Sequence, residues 1–325
     1  MTEFRFGYAL SSEEHRPLDL VRSAQRAEAA GFDFAMLSDH YHPWLDQQGQ
    51  SPFAWSVLGG IAMATQRLIV GTGVTALSLR IHPAILAQAA ATVADMLPGR
   101  FWFGVGTGEN LNEHVLGGAW PEHSQRAEML EEAIGIIRRL WSGKLVDRHG
   151  EHYRVSRARL YTLPKQLPPI LVAASGPESA AVAGRIGDGL ISTAPKSDIV
   201  KAYGKGGPKV GQITVCWADD ERAACRTAME WWPTAAIPGD NSRELPLPSS
   251  FEALVPLVTE DALAKQVVCG PDVERYVAAI RPYLDAGFDH LYLHQVGPDQ
   301  AGFIRFAERT LLPELRRRGQ HRRAA

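Results

Sequence analysis

The sequence predicts a (β/α)8 barrel, and three observations support this fold class. Short apolar runs with strand character alternate with longer segments whose apolar residues recur at helical spacing, which is typical of parallel βαβ units. A chain of 325 residues is a normal length for a single barrel domain with insertions in its βα loops. Reactive side chains directly follow several of the apolar runs, as they do at the carboxyl rim of a barrel.

The alternation assigns eight strands and eight helices in chain order. The helices end at turn residues such as Gly31 and the pair Pro98 and Gly99, which disfavour helix continuation. The predicted strands cover residues 4–10, 32–38, 67–75, 100–105, 169–175, 189–193, 212–217 and 290–294. The predicted helices cover residues 18–30, 53–65, 82–97, 126–141, 176–186, 221–231, 273–286 and 301–315.

Three segments fall outside this alternation. Residues 145–155, with a His-Gly pair at their middle, predict a hairpin on the outside of the barrel. Residues 233–250 are rich in proline and polar residues and are too long for an ordinary connection, so we expect an insertion or lid there. Residues 316–325 form a short basic tail, which we expect to be a frayed, solvated chain end.

A doubly wound parallel sheet is the alternative fold of similar length. Such a sheet binds a dinucleotide through a GxGxxG turn directly after its first strand. The chain has no such turn after residues 4–10. The barrel is therefore the favoured prediction.

Composition indicates a cytoplasmic enzyme that acts on a small molecule. The formal net charge is only −2, with 22% charged residues, which argues against nucleic-acid and membrane partners. The three cysteines form no CxxC pair, so neither a zinc knuckle nor a disulfide framework is indicated. No apolar run approaches the length of a membrane span or of a signal-peptide core.

If the barrel is right, polar residues just past the strand ends face one mouth. His40, together with Asp39 and Trp44, follows the second strand, and Glu109 follows the fourth. An imidazole and a carboxyl group that share a cavity are the minimum for general acid–base chemistry. From the residues alone, each of these side chains could equally be structural. His40 and His42 lack a third ligand at a recognisable spacing, so no metal site is expected.

Four motifs give the chain a resemblance to a known family. They are SDHYHPW at 38–44, HPAILAQ at 82–88, GVGTGENLN at 104–112 and WPE at 120–122. With these motifs the sequence resembles the luciferase-like flavin and deazaflavin superfamily, and within it the coenzyme F420-dependent glucose-6-phosphate dehydrogenase group. The resemblance implies a (β/α)8 barrel, bound coenzyme F420, no tightly held metal and a homodimer.

The resemblance also implies roles for individual residues. His40 would remove the substrate hydroxyl proton while a hydride passes to C5 of the deazaflavin, Glu109 would assist proton movement at the ring, and Trp44 would stabilise the arrangement. Asp39 would orient His40. A non-proline cis peptide is implied at Gly73 and Val74. The cofactor-binding residues implied by the resemblance are Asp39, Gly73, Val74, Gly106, Gly108, Asn112, Ala173, Ala174, Ser175, Gly176 and Thr193.

The sequence departs from the resembling group at the substrate end. Lys196 matches one of three basic residues that hold a sugar phosphate there, but the other two positions carry Ser242 and Gln266. Arg243 and Lys265, each one step away, could compensate, so Lys196, Arg243, Lys265 and Gln266 are the candidate substrate-binding residues. Ala76 replaces a hydroxyl residue near the cofactor, which keeps FMN open as an alternative to F420.

Three functions remain open from the sequence. The first is an F420-dependent oxidoreductase that moves a hydride to or from a small alcohol, sugar phosphate, carbonyl compound or alkene. The second is an FMN-dependent luciferase-like monooxygenase on the same barrel. The third is a catalytically silent F420-binding or carrier protein. F420-dependent sugar-6-phosphate dehydrogenation survives as a special case of the first.

Overall fold

Eight parallel strands close into a barrel in this computed structural model, which describes residues 4–237 and 240–324. The eighth strand pairs with the first, with Arg5 opposite His290, and each remaining strand pairs with its sequence neighbours in the barrel. Closure rules out the open doubly wound sheet and confirms the predicted fold class. The barrel strands are β1 (Arg5–Leu10), β2 (Phe34–Leu37), β3 (Ile69–Thr72), β4 (Phe101–Gly106), β5 (Ile170–Ala173), β6 (Gly189–Ser192), β7 (Lys209–Cys216) and β8 (His290–Gln295).

Helices surround the barrel and follow its strands. Those that pack around it are Pro17–Ala29, Ala54–Ala64, Pro83–Met96, His123–Leu140, Pro177–Ile186, Ser197–Tyr203, Glu221–Trp231, Val273–Ala286 and Gln300–Phe306. A π-helical turn, Ala307–Leu311, continues into Leu312–Ala324. Shorter elements are Asp46–Gln48, Asn110–Glu113, His114–Leu116, Pro233–Ala236, Asp240–Glu244, Pro248–Glu252, Val255–Leu257 and Glu260–Ala264. None of the helices in the described ranges is both long and apolar enough to cross a membrane.

The predicted basic tail is helical rather than frayed as far as Ala324. Arg318 forms ion pairs with Glu274 and Glu314, and Arg316 donates a hydrogen bond to the Gly31 carbonyl at 2.5 Å. These contacts tie the start of the segment to the barrel helices. The predicted last residue of the tail, Ala325, lies outside the described residues.

The third strand is interrupted where one continuous strand, 67–75, was predicted. β3 ends at Thr72, the Gly73–Val74 peptide bond is cis, and Thr75–Ala76 then pairs separately with β4. The predicted hairpin forms, with strands Val146–His149 and Arg154–Ala158. A short strand that was not predicted, Val267–Cys269, adds to the edge of β7.

Large side chains fill the inside of the barrel. Along β2, Phe34 and Met36 pack in the interior with Trp102 and Tyr292, whereas the alternate residues Ala35 and Leu37 pack against the helices, as the two-residue period of a strand requires. Because the interior is packed, a ligand cavity can form only above it, at the carboxyl rim.

Candidate active site

The carboxyl ends of the strands surround a cavity of about 1180 Å³. All four predicted catalytic residues line it, namely Asp39, His40, Trp44 and Glu109. Most of the predicted cofactor-binding residues line it as well, namely Asp39, Gly73, Val74, Gly106, Gly108, Asn112, Ala173, Ala174, Ser175 and Thr193. The barrel therefore brings together residues that are far apart in the sequence.

Gly176 and Lys196 do not line this cavity. Gly176 caps the helix Pro177–Ile186, and its N–H donates a hydrogen bond to Ser179 Oγ at 3.2 Å. The Lys196 side chain is exposed at the start of the helix Ser197–Tyr203. Their roles in binding the cofactor and the substrate stay predictions.

His40 and Glu109 face each other across the cavity floor. His40 Nε2 lies 3.7 Å from Glu109 Oε2. Burial raises the pKa of Glu109 above its usual range, although the charges of His40 and Arg243 act in the opposite direction. A carboxyl group that keeps its proton to higher pH beside an imidazole is suited to give or hold a proton.

Glu13, which the sequence reasoning missed, lies on the other side of the imidazole. His40 Nδ1 is 3.4 Å from Glu13 Oε1, and Glu13 Oε2 accepts hydrogen bonds from Ser38 Oγ at 2.7 Å and Ser11 Oγ at 3.0 Å. Burial alone would raise the pKa of Glu13, but His40 and the Ser38 hydroxyl outweigh it and lower that pKa. Glu13 follows the end of β1, so the rule that selected Glu109 could have found it.

The two carboxyl groups that flank His40 therefore have opposite pKa shifts. The lowered pKa keeps Glu13 ionised, 3.4 Å from His40 Nδ1. Glu109 is held closer to neutral at Nε2, on the cavity side. Environments that push two carboxyl pKa values apart assign them different roles in proton transfer.

The predicted partner of Asp39 is His40, but the hydrogen bonds and ion pair of its carboxylate join it to Thr75 and Arg80. Asp39 Oδ2 accepts a hydrogen bond from Thr75 Oγ1 at 2.7 Å, and Asp39 Oδ1 pairs with Arg80 at 2.9 Å. Arg80 Nε is also 3.4 Å from Oε1 of the fully buried Glu113. Asp39 thus braces the loop after β2 against the segment that follows β3, and Glu13 takes the place beside the imidazole.

Asn112 and Trp44 hold the loop that carries His40. Asn112 Oδ1 accepts hydrogen bonds from the backbone N–H groups of Tyr41 at 2.9 Å and His42 at 3.2 Å, so this oxygen is engaged within the protein. The ring centroid of Trp44 lies 5.1 Å from that of His40 and 5.2 Å from that of Phe251. Trp44 therefore packs between the imidazole and the chain that follows the insertion.

The cis peptide implied by the resemblance is present. The Gly73–Val74 bond is cis, and both residues line the cavity. Met36 lies beneath Gly73, where an added Cβ would come within 3.1 Å of Met36 Cβ. This wall of the cavity is therefore made of small side chains over a packed floor.

Polar contacts around Glu244 join the part of the predicted 233–250 insertion that follows residue 239 to the rim. Glu244 Oε1 pairs with Arg126 at 3.2 Å, Glu244 Oε2 accepts a hydrogen bond from Trp120 Nε1 at 2.6 Å, and the Glu244 carbonyl accepts one from Asn110 at 2.9 Å. We call these four residues the Glu244 cluster. It places Ser242 and Arg243 at the cavity, where Lys265 and Gln266 also lie.

No group of three or more His, Cys, Asp or Glu side chains in the described part of the chain could hold a metal ion. His42 is turned away from such a role, because its Nδ1 lies 2.8 Å from the Leu111 carbonyl and its ring stacks on His114.

Next to Glu13, Glu14 makes the stability of the fold depend on pH. Burial raises the pKa of Glu14 to about 8, well above the value of an unfolded chain. The folded state then holds a proton that the unfolded chain releases, so stability falls as pH rises towards 8. Each pH unit in this window costs about 1.4 kcal/mol. We expect Glu14→Gln to remove much of this dependence, measured by urea unfolding at pH 5 and pH 8.

The exposed Glu151 offers a matched control for this measurement. Glu151→Gln should unfold with the same pH dependence as the wild type. A Glu14→Gln variant whose stability changes between pH 5 and pH 8 as much as that of the wild type would show that Glu14 does not carry the raised pKa.

Comparisons with known proteins agree with this architecture. The family model described as luciferase-like monooxygenase matches residues 1–290. An F420-dependent glucose-6-phosphate dehydrogenase of Nakamurella multipartita is 36% identical, with 96% of this chain and 96% of that protein covered. The enzyme of the same name from Mycobacterium tuberculosis is 35% identical, with coverage of 98% and 100%.

Solved structures resemble the chain over nearly its whole length. An F420-dependent secondary alcohol dehydrogenase in complex with an F420-acetone adduct superposes with a TM-score of 0.87 at 30% identity, covering 94% of this chain and 98% of the other. A coenzyme F420-dependent tetrahydromethanopterin reductase from Methanopyrus kandleri shares the fold, with a TM-score of 0.77 at 21% identity and coverage of 96% and 99%. The chain belongs to the luciferase-like monooxygenase family and, within it, groups with F420-dependent dehydrogenases.

Proposed function

We propose that this protein is an F420-dependent oxidoreductase that moves a hydride between C5 of the deazaflavin and a carbon atom of a small organic substrate. The observation that carries the proposal is the His40 imidazole, flanked by Glu109 and Glu13 in the rim cavity. The relatives named above are F420-dependent enzymes that act on a sugar phosphate, a secondary alcohol and a pterin.

The cavity suits a large cofactor together with a small substrate. Its volume of about 1180 Å³ exceeds the roughly 300–1,000 Å³ typical of ligand pockets. Small residues form one wall, including Gly73, Val74 and Ala173, which leaves room for a flat ring system. These residues would hold the deazaflavin, which supplies the hydride acceptor or donor.

His40 acts as the base when the substrate is an alcohol. Its Nε2 takes the hydroxyl proton while the carbon-bound hydrogen leaves as hydride, so the O–H and C–H bonds break as the C=O bond forms. Ionised Glu13 stabilises the protonated imidazole from the Nδ1 side. Glu109, whose pKa is raised by burial, holds a proton that can pass to or from the reacting centre.

The sugar-phosphate form of this activity has less support than the general one. Lys196, the basic residue matched to the resembling group, is exposed and lies outside the cavity lining. Ser242 and Gln266 are neutral. A dianion held by few cations loses the charge-assisted bonds that make such sites strong. We therefore propose a substrate other than a sugar phosphate. From the sequence and the family resemblance we also propose that the protein is a cytoplasmic homodimer.

Binding titrations separate the proposed function from the FMN-dependent alternative. We expect the purified protein to bind F420. A panel of alcohols is tested with oxidised F420, and carbonyl compounds and activated alkenes are tested with reduced F420. A change in the deazaflavin absorbance measures turnover in each direction. FMN should bind more weakly, if at all. Tight FMN binding without F420 binding would instead support a monooxygenase.

A further inference from the structure

One arginine of the insertion lies at the cavity together with the reacting pair. We infer that Arg243 determines substrate specificity by binding one carboxylate of the substrate, so that the enzyme acts on a small hydroxy acid or oxo acid. The inference rests on the proposed function, because it takes the cavity above His40 as the substrate site. It names the substrate class and leaves the hydride chemistry unchanged.

Arg243 is placed to act on the reacting groups. It belongs to the turn Asp240–Glu244 and lines the same cavity as His40 and Glu109. Its Nη1 donates a hydrogen bond to Ser175 Oγ at 3.3 Å. Its charge also lowers the pKa of Glu109 against the effect of burial, so the guanidinium lies within electrostatic reach of the carboxyl group that faces His40.

The guanidinium of Arg243 has donors to spare. An arginine has five N–H donors, and Arg243 gives one of them to the neutral Ser175 hydroxyl. Among the carboxylates whose side chains the structure describes, none forms an ion pair with it. Two other cations line the cavity: Arg275 is paired with Glu221, and Lys265 is exposed. Arg243 and Lys265 are therefore the cavity cations available to an anionic substrate group, and of the two only Arg243 has the planar fork that binds a carboxylate through two parallel hydrogen bonds.

The geometry favours a carboxylate over a phosphate. A single guanidinium forms two parallel hydrogen bonds with a carboxylate and neutralises its one charge. A phosphate dianion would need a second cation beside Arg243, and the remaining candidate in the lining, Lys265, has an exposed side chain, while Ser242 and Gln266 are neutral and Lys196 lies outside the cavity.

The Glu244 cluster anchors the backbone next to Arg243. Arg126 is almost fully buried, at 2% exposure, and its guanidinium lies 4.1 Å from the centroid of the Trp120 ring while it pairs with Glu244. A buried charge that loses its partner is strongly destabilising, so the segment next to Arg243 is firmly anchored. An anchored backbone lowers the conformational entropy that this segment loses when a ligand binds to Arg243.

Binding of matched ligands tests the inference directly. The probes are short 2-hydroxy and 3-hydroxy acids and their amides, which have nearly the same shape and differ in charge. Isothermal titration into the F420-loaded protein should show at least one acid bound about tenfold or more tighter than its amide, as expected for a charge-assisted pair. Arg243→Gln should remove this preference by weakening acid binding alone.

Arg222→Gln is the matched control, because Arg222 is exposed and lies outside the cavity lining. It should keep the preference for the acid. Glu244→Gln, which removes the charge partner of Arg126, should reduce the preference partly, and circular dichroism should show that each variant is folded. The same acids should be turned over with a raised KM and a nearly unchanged kcat in Arg243→Gln.

Several outcomes would overturn the inference. The first is that no acid binds better than its amide. The second is that the preference for the acid over its amide survives in Arg243→Gln. The third is that this preference is lost in Lys265→Gln instead. If the Arg243→Gln substitution weakens the binding of F420 and leaves the binding of the acids unchanged, Arg243 holds an anionic group of the cofactor. If neutral alcohols reduce F420 but the acids do not, the proposed function stands and the inference fails. If F420 does not bind, the proposed function fails first.

Discussion

Replacing His40 with alanine is expected to lower turnover by a factor of about 10² to 10⁴, the usual contribution of a general base. In the proposed mechanism His40 Nε2, 3.7 Å from Glu109, is the base, and Glu13 lies 3.4 Å from Nδ1. Without the ring, the substrate hydroxyl proton has no acceptor at that position. Steady-state rates of F420 reduction by the best substrate of the panel measure the loss.

Cofactor binding separates this role from a structural one. F420 should bind the His40→Ala variant within a few-fold of the wild type, because the small residues at Gly73 and Ala173 are untouched. His149→Ala, on the exposed hairpin, should be as active as the wild type. An active wild type with an inactive His40→Ala variant that still binds F420 excludes the carrier hypothesis. Retention of more than about a tenth of the activity by His40→Ala would contradict the role of base.

Replacing Gly104 with alanine is expected to destabilise the barrel by about 3 kcal/mol or more, at the upper end of overpacking effects. An added Cβ on Gly104 would lie 1.9 Å from the Thr72 carbonyl oxygen and 3.0 Å from Ile191 Cδ1. The Thr72 contact is with backbone at the end of β3, so no side-chain rotation relieves it. Chemical denaturation with urea measures the loss as a lower midpoint.

Gly135→Ala is the matched control for Gly104→Ala. Gly135 lies in the helix His123–Leu140, and an added Cβ there would meet nothing within 4 Å. Alanine should raise the stability by about 0.5–1 kcal/mol, because it has the higher helix propensity. If both variants unfold at the wild-type midpoint, the close approach of Gly104 to Thr72 is not as tight as described.

Much of the fold follows from local sequence patterns. The strand at residues 32–38 was visible as an apolar run that ends in Asp39 and His40, and the observed strand β2 lies within it. Strand ends moved by up to three residues, because apolar periodicity does not show where pairing stops. The break after Thr72 has no local apolar signal, and it was placed only through the family resemblance.

The partners of the site residues were harder to predict. Asp39 was assigned to His40 through the family resemblance, yet its carboxylate pairs with Arg80, 41 positions along the chain. Glu13 reaches His40 because β1 and β2 are neighbours in the barrel. Such pairings depend on strand register and rotamers, which one sequence does not display. The Glu244 cluster likewise joins residues more than 100 positions apart.

In the proposed mechanism, proton transfer and substrate recognition in the cavity depend on different segments of the chain. The residues to which we assign proton transfer follow β1, β2 and β4 and are Glu13, His40 and Glu109. Arg243 lies in the segment between β7 and β8. A library that varies residues 234–237 and 242–243 while keeping Glu244 and Phe251 would therefore change which molecules enter without disturbing the proton-transfer machinery. This makes the protein a practical scaffold for new deazaflavin-linked reductions.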